Sequence, residues 1–381
     1  MNIIKLLSGQ DSGGVFTNEK QFIRIWLSQG HHVHGIIIGE GKAGAEYKKL
    51  LTNFVELPGF KHRKSSLGFI DYVPNLFETS LFAKRHADQL VDIPFPADAV
   101  AYRRPYFSAS ASIVAGSKGT ECFWHMPLST TGLLQKIYYR FMMKSHGIIP
   151  VGNSRFTAQT LGAICSSYVY PGFSESRISL DQVRTNAGGF RTKLSIPKEA
   201  SIFGIAARID KRKAQHLVIQ AFNEMLVDGL ENTWLLLAGG PEGTAYFRKC
   251  KQMAKEAGGK IVFLGSLESD EEICMFYNDI DVYVNSRKDP EPFGISIAES
   301  LGSGLPVIAY NSGGPAEMIT EGINGWLVER PVASSYREAL EKALADKDRW
   351  ADMGVKSKKS SHQFSAEVNA EAMLNLLKQS R

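Results

Sequence analysis

Short apolar runs alternate with stretches of helical periodicity along this whole chain. In the first half "NIIKLL", "HHVHGIII", "FVEL", "AVAYR", "ECFWH" and "GIIPVG" predict strands, since compact apolar runs bounded by turn residues suit a buried sheet. "NEKQFIRIWLSQ", "GAEYKKLLTN", "SLFAKRHADQLV" and "TGLLQKIYYRFMMK" predict helices. The second half starts the alternation again, from "SIFGIAA" through "AQHLVIQAFNEMLVDG", "WLLLAGG", "TAYFRKCKQMAKEAG", "IVFLGS", "DEEICMFYND", "VYVNS" and "GISIAESLGSG" to "PVIAY". Such alternation implies α/β domains, each a doubly wound parallel sheet flanked by helices, and here two of them. The polar, weakly periodic residues 171–200 contain the join, giving domains over 1–170 and 171–360 and a last helical segment over 361–381. No period of about 20–50 residues recurs, which excludes a repeat array.

Composition narrows the class. The chain has 381 residues, 44% hydrophobic and 22% charged, enough apolar material for two soluble cores. No apolar run approaches the roughly 18 residues of a membrane span, and "MNIIKLLSG" is too short for a signal-peptide core. Cys122, Cys165, Cys250 and Cys274 are scattered without metal or redox spacing, which predicts reduced thiols in a cytoplasmic protein. Charge is uneven: residues 1–170 hold 18 Lys+Arg against 11 Asp+Glu, and the remainder 26 against 28. A basic first half suits an anionic partner such as a phosphorylated or membrane-borne substrate, while nucleic acid is not indicated.

Three stretches carry candidate chemistry. Gly13 and Gly14 follow the first strand and precede a helix. They read either as a backbone seat for an anion or as a plain tight turn. Arg208 and Lys213 follow a strand of the second sheet, where open α/β folds bind ligands. They read as a diphosphate clamp or as a solvated basic loop. Glu291 and Glu299 stand eight positions apart around Phe293–Gly294. A helix starting near Gly294 would aim its first N–H groups at an anion, with Glu291 on the approach and Glu299 inside the helix. Two carboxylates so placed could accept from the hydroxyls of a nucleotide sugar, or be one loop and one helix glutamate of no shared purpose.

"EPFGISIAESLGSGLPVIAYNSGGPAEMITEGINGWLV" resembles the signature of the retaining, GT-B-fold glycosyltransferases of family 4, also called glycosyltransferase group 1. The motif has two glutamates around Phe-Gly, a Gly-x-Pro-Val strand start, a Gly-Gly-x-x-Glu turn and an Asn-Gly turn. "ARIDKRKAQHLVIQAF" is similar to the family's Gly-Arg-x-x-x-x-Lys-Gly segment, with Ala207 and Ala214 in place of its glycines. "VGNSRFTAQTL" and "YVYPGF" resemble segments near the end of its first domain. The resemblance implies a GT-B fold, two Rossmann-like domains facing a central cleft, with the final helix returning to the first domain. It implies hexosyl transfer with retention, from a nucleoside-diphosphate sugar to a hydroxyl acceptor, in glycan, polysaccharide or glycolipid synthesis. By motif position Glu299 would hold the ribose, Glu291 and His125 ("FWHMP") the donor sugar, and Arg208 and Lys213 the diphosphate. Backbone from Phe293 through Gly294 and Ile295 to Ser296, and the Gly13–Gly14 loop, would meet the phosphates. No cofactor or catalytic metal is implied, and the acceptor, a glycan or a lipid-linked molecule, falls to the first domain.

Other readings compete. "GEGKAG" (39–44) is a literal Gly-x-Gly-x-x-Gly, the pattern of an NAD-type oxidoreductase, although on the second strand and with Glu56 too early for the ribose acid. Asp279 and Asp281 form an Asp-x-Asp, the metal motif of another transferase fold, here spanning a helix end and a strand start. A non-catalytic sugar-nucleotide sensor would keep the same polar positions. "LLQKIYYRFMMKSHG" reads as a packed helix or as one lying on a membrane surface. Lys61, Arg63, Lys64, Arg103 and Arg104 are candidate contacts to a lipid-linked diphosphate or to the inner face of a membrane.

Overall fold

A computed structural model describes residues 1–60, 72–129, 132–179 and 189–379. Lys61, Arg63 and Lys64 lie outside the described residues. Two compact units emerge: unit 1 is Met1–Gly172 with Ala366–Arg381, and unit 2 is Phe173–Ser365.

Unit 1 carries strands β1 (Asn2–Ser8), β2 (His32–Ile38), β3 (Asn53–Leu57), β4 (Ala99–Tyr102), β5 (Cys122–Met126), β6 (Ile148–Gly152) and β7 (Ser167–Tyr168). They pair in parallel in the order β3-β2-β1-β4-β5-β6-β7. Its helices are α1 (Gly13–Ser28), α2 (Lys42–Leu50), α3 (Tyr72–Arg85), α4 (Ala87–Val91), α5 (Ser108–Lys118), α6 (Leu133–His146) and α7 (Arg155–Leu161). Ile3 and Leu7 of β1 pack with Phe22, Ile23 and Trp26 of α1, while Ile4 and Leu6 pack with Phe107, Val114 and Met142. Both faces of the sheet are thus covered, so its strands read as continuous apolar runs.

Unit 2 repeats the plan with α8 (Phe190–Lys193), β8 (Ser201–Ala206), α9 (Gln215–Val227), β9 (Thr233–Ala238), α10 (Ala245–Ala254), β10 (Ile261–Gly265), α11 (Asp270–Asp279) and β11 (Val282–Asn285). It continues through α12 (Ile295–Gly302), β12 (Val307–Tyr310), α13 (Pro315–Met318), β13 (Gly325–Val328), α14 (Ala333–Ala345) and α15 (Trp350–Ser361). Its strand order is β10-β9-β8-β11-β12-β13. The last helix, α16 (Ala366–Gln379), belongs to unit 1, where Ala370 O accepts from Trp26 Nε1 at 2.9 Å.

In each sheet the strand order reverses once, between β1 and β4 and between β8 and β11. Loops leaving the carboxyl ends of such neighbours diverge to opposite faces, and open α/β sheets bind ligands in the gap they leave. Gly13–Gly14 and Arg103–Arg104 follow β1 and β4; Arg208–Lys213 and Arg287–Gly294 follow β8 and β11.

The structure moves the start of α1. Gly13 (φ +60°) and Gly14 are its first residues rather than a preceding turn. Glycine costs about 1 kcal/mol in a helix interior, which places the predicted start later. The first turn has no intrahelical N–H bonds to lose, so glycine is tolerated there.

Candidate functional site

The loops after β8 and β11 are fastened together. Lys288 N donates to Arg212 O at 3.3 Å and Ser286 Oγ to Lys213 O at 2.6 Å. Asp210 Oδ1 accepts from the backbone N–H of Arg212 (2.9 Å) and Lys213 (3.0 Å), curling the first loop toward α9. The curl ends at Ala214, whose φ of +52° is left-handed; an alanine there carries about 1–2 kcal/mol of crowding that glycine would escape.

This arrangement brings Lys213 and Glu291 together. Lys213 Nζ lies 2.7 Å from Glu291 Oε2, and Arg287 Nη1 lies 2.7 Å from Glu291 Oε1. Arg287 is in turn held by Asp289 (Nη2–Oδ2 2.9 Å), which Arg212 also engages at 3.0 Å. Burial alone would raise the Glu291 carboxyl pKa; the Lys213 ammonium and the Arg287 guanidinium outweigh it and hold the group below its ordinary value. Glu291 therefore stays ionised at neutral pH with each oxygen fixed. Arg287 lies outside every motif of the sequence. Its signal was its place four residues before Glu291 in the "RKDP" segment. Arg208 stands apart, 75% exposed, with Asp210 Oδ2 3.5 Å away.

Glu291 is positioned from behind by main chain. Gly314 N donates to Glu291 O at 2.8 Å, and a Cβ on Gly313 would sit 2.2 Å from that same oxygen. Gly294 caps α12 at φ +101°, a conformation glycine alone adopts readily. Ile295 and Ser296 then open α12 with N–H groups that have no acceptor within the helix, and the positive end of its dipole lies there. Phe293 is buried, its ring 6.0 Å from Phe364.

Glu299 lies inside α12 and is buried. Its Oε1 is 2.7 Å from Arg177 Nη1 and its Oε2 accepts from Tyr277 OH at 2.9 Å. Arg177 has a second partner in the exposed Asp270 at 2.9 Å. Burial opposes the Arg177 charge, but Glu299 and Asp270 win and raise its pKa. A carboxylate has about four acceptor positions, so these two donors leave capacity for hydroxyls of a ligand. Neither Arg177 nor Tyr277 carries a local motif that would reveal it.

In unit 1, His125 ends up inside β5, 1% exposed. Its Nε2 is 2.7 Å from Val169 O and its ring stacks on Phe22 at 6.2 Å. Burial, reinforced by Arg103 and Lys5, pushes its pKa well below the ordinary histidine value, so the ring is neutral at pH 7. The unfolded chain binds a proton near pH 6.5 where the folded one does not, so stability falls as pH drops through that value. His125→Gln is expected to flatten this loss, read as a smaller difference in melting temperature between about pH 7.5 and about pH 5 than wild type shows.

The reading of Arg103 as a contact to a lipid-linked diphosphate or a membrane is corrected. Arg103 is buried, donating to Glu19 and Asn18, and Glu19 also binds the buried Lys5 at 2.9 Å. Arg104 Nε is 2.6 Å from Asp11 Oδ1. Arg103 faces internal partners because a buried charge persists only when paired, whereas Arg104 is half-buried and pairs with the buried Asp11.

The competing motifs have structural duties. A Cβ on Gly41 would meet Gly9 O at 2.3 Å, and Gly44 N donates to that oxygen at 3.2 Å. The Gly-x-Gly-x-x-Gly glycines thus let two loops touch, and Glu56 pairs with Lys48 at 2.9 Å. Asp279 Oδ2 accepts from Phe190 N at 2.5 Å, and Asp281 Oδ2 from Ile202 N at 2.7 Å. Among the described residues no group of three or more His, Cys, Asp or Glu side chains could hold a metal ion. No described helix is long and apolar enough to cross a membrane.

Residues 189–360 match the family model of glycosyl transferases group 1. A probable sucrose-phosphate synthase of Thermosipho melanesiensis is 32% identical over 177 residues, 45% of this chain and 40% of that protein. A lipopolysaccharide 1,2-N-acetylglucosaminetransferase of Salmonella typhimurium is 28% identical over 201 residues, 51% of each chain. The match thus spans about half the length of these curated relatives. The crystal structure of Anabaena HepE in complex with UDP superposes over 100% of both chains with a TM-score of 0.78 at 15% identity, which shows a shared fold. Residues 189–360 thus resemble the group 1 glycosyl transferases, and the two Rossmann-like units are those of a GT-B fold.

Proposed function

We propose that this protein transfers a hexose from a nucleoside-diphosphate sugar to a hydroxyl acceptor with retention of anomeric configuration, in glycan, polysaccharide or glycolipid synthesis. The observation that carries the reading is the Lys213–Glu291–Arg287 cluster at the β8/β11 switch point, next to the opening of α12. Charge develops on the departing diphosphate, and fixed cations with a helix amino terminus stabilise it without reorganising. Lys213, Arg208 and the N–H groups of Ile295 and Ser296 take that role. Glu291, already ionised and immobile, accepts from sugar hydroxyls, and Glu299 accepts from the ribose. The leaving diphosphate, on the same face as the acceptor, takes the acceptor's proton, so no carboxylate nucleophile is needed. The solved HepE structures with UDP and with UDP and glucose support a uridine nucleotide as the first donor to try. The acceptor is assigned to unit 1.

A thermal-shift panel of nucleoside diphosphates and nucleotide sugars tests the reading. One class should raise the melting temperature by mass action, about 2.7 kcal/mol at a hundredfold excess over Kd. Slow hydrolysis of that donor without acceptor separates an enzyme from a sensor. Turnover is expected to persist in EDTA, because protein cations fill the place of a metal. Loss restored by Mg²⁺ or Mn²⁺ would overturn that part. No stabilisation by any nucleotide would overturn the whole.

A further inference from the structure

α6 has two apolar faces. Tyr139, Met142 and Met143 are buried in the core of unit 1. On the opposite side Leu133, Leu134, Ile137 and Phe141 are 73%, 60%, 54% and 61% exposed. Leu133, Ile137 and Phe141 recur every fourth residue, so they form one stripe along a helix of 14 residues, about 21 Å long. Lys136, Arg140 and Lys144 recur with the same spacing and flank that stripe. The helix contains no Asp or Glu.

We propose that this face of α6 docks on an anionic lipid surface, with the four apolar side chains in the headgroup–acyl boundary and the three cations on lipid phosphates. Charge selects the occupant. Beyond the internally paired Arg103 and Arg104, residues 105–174 contain five Lys or Arg and one carboxylate, Glu121, so the segment around α6 offers almost nothing to a cationic partner. Lysine is depleted from protein–protein interfaces, yet at a lipid boundary its stem lies along apolar surface while the ammonium reaches the headgroups. A second copy of the chain would bring like-charged stripes together with no acid in the helix to relieve them. A helix with apolar residues on one side and cations beside them lies in the plane of the interface. The helix begins seven positions after the last residue of β5, so the docking face follows closely in sequence the carboxyl end of a strand of the unit to which the acceptor is assigned.

The test is cosedimentation of the full chain with vesicles of phosphatidylcholine, with and without phosphatidylglycerol, at low and high salt and with no donor present. It is therefore independent of the transferase reading. Wild type is expected to bind the anionic vesicles and to release them in salt. Combined Lys136→Ser, Arg140→Ser and Lys144→Ser should weaken binding about 100-fold, near fivefold per cation. Combined Leu133→Ser, Leu134→Ser, Ile137→Ser and Phe141→Ser should weaken it at least about tenfold. Phe141→Ser alone should give a partial loss if the fourfold variant does not fold. Val227→Ser, an exposed apolar residue of unit 2, should change nothing. Failure of wild type to bind anionic vesicles, or equal binding by the α6 variants, would overturn the proposal. So would a wild-type dimer that ignores vesicles and falls to monomer in the α6 variants.

Discussion

Lys213→Ala is expected to lower the turnover number about 10²–10³-fold, the usual loss when one preorganised charge-stabilising donor is removed from a site. The change should fall on turnover rather than on the Michaelis constant for the donor, since the diphosphate gains its extra charge only as the sugar leaves. The variant should still fold. Lys213 is partly exposed, and Glu291 keeps Arg287 at 2.7 Å after the ammonium is gone. That retained partner matters, because a buried carboxylate stripped of every cation would cost several kcal/mol and blur the result. Lys213→Arg should recover part of the rate. A turnover number within about threefold of wild type for Lys213→Ala would remove Lys213 from the chemistry and leave it a structural partner of Glu291.

Glu299→Gln should weaken binding of the nucleoside diphosphate about 5–150-fold, the 1–3 kcal/mol of a hydrogen bond to a charged acceptor. An amide of the same shape also presents an NH₂ group to a site built around two donors, Arg177 and Tyr277. Some stability is therefore lost as well, about 2–4 °C in melting temperature per kcal/mol for a unit of this size. Arg177 keeps Asp270, so the fold should persist. Calorimetric titration well below the melting point separates the two effects. Affinity equal to wild type would take Glu299 out of the ribose site.

Most strands are legible in the amino-acid pattern alone, because sheets covered on both faces need largely apolar runs, and "GIII", "WLLLA" and "VYV" supply them. The two glutamates and the lysine are legible from the spacing of a motif that resembles a known family. α5 is not: "SASASIVAGSK" has weak apolar periodicity, and small side chains become helical there by being buried under their neighbours. The two-residue β7 exists only because β6 is there to pair with it.

The partners of the site lie beyond sequence altogether. Arg177 reaches Glu299 from 122 positions away, and Arg287 could have answered either Asp289 or Glu291 and answers both. Reading Arg103 as a surface cation failed because a loop residue's exposure depends on what packs over it, here Glu19 and Asn18 of α1. The sequence determined the periodicity of α6, with apolar residues all around it and cations between them. Only packing decided that Tyr139, Met142 and Met143 turn inward while Leu133, Leu134, Ile137 and Phe141 meet solvent. Periodicity is a property of one helix, whereas burial is a property of the surface that the rest of the fold offers to it.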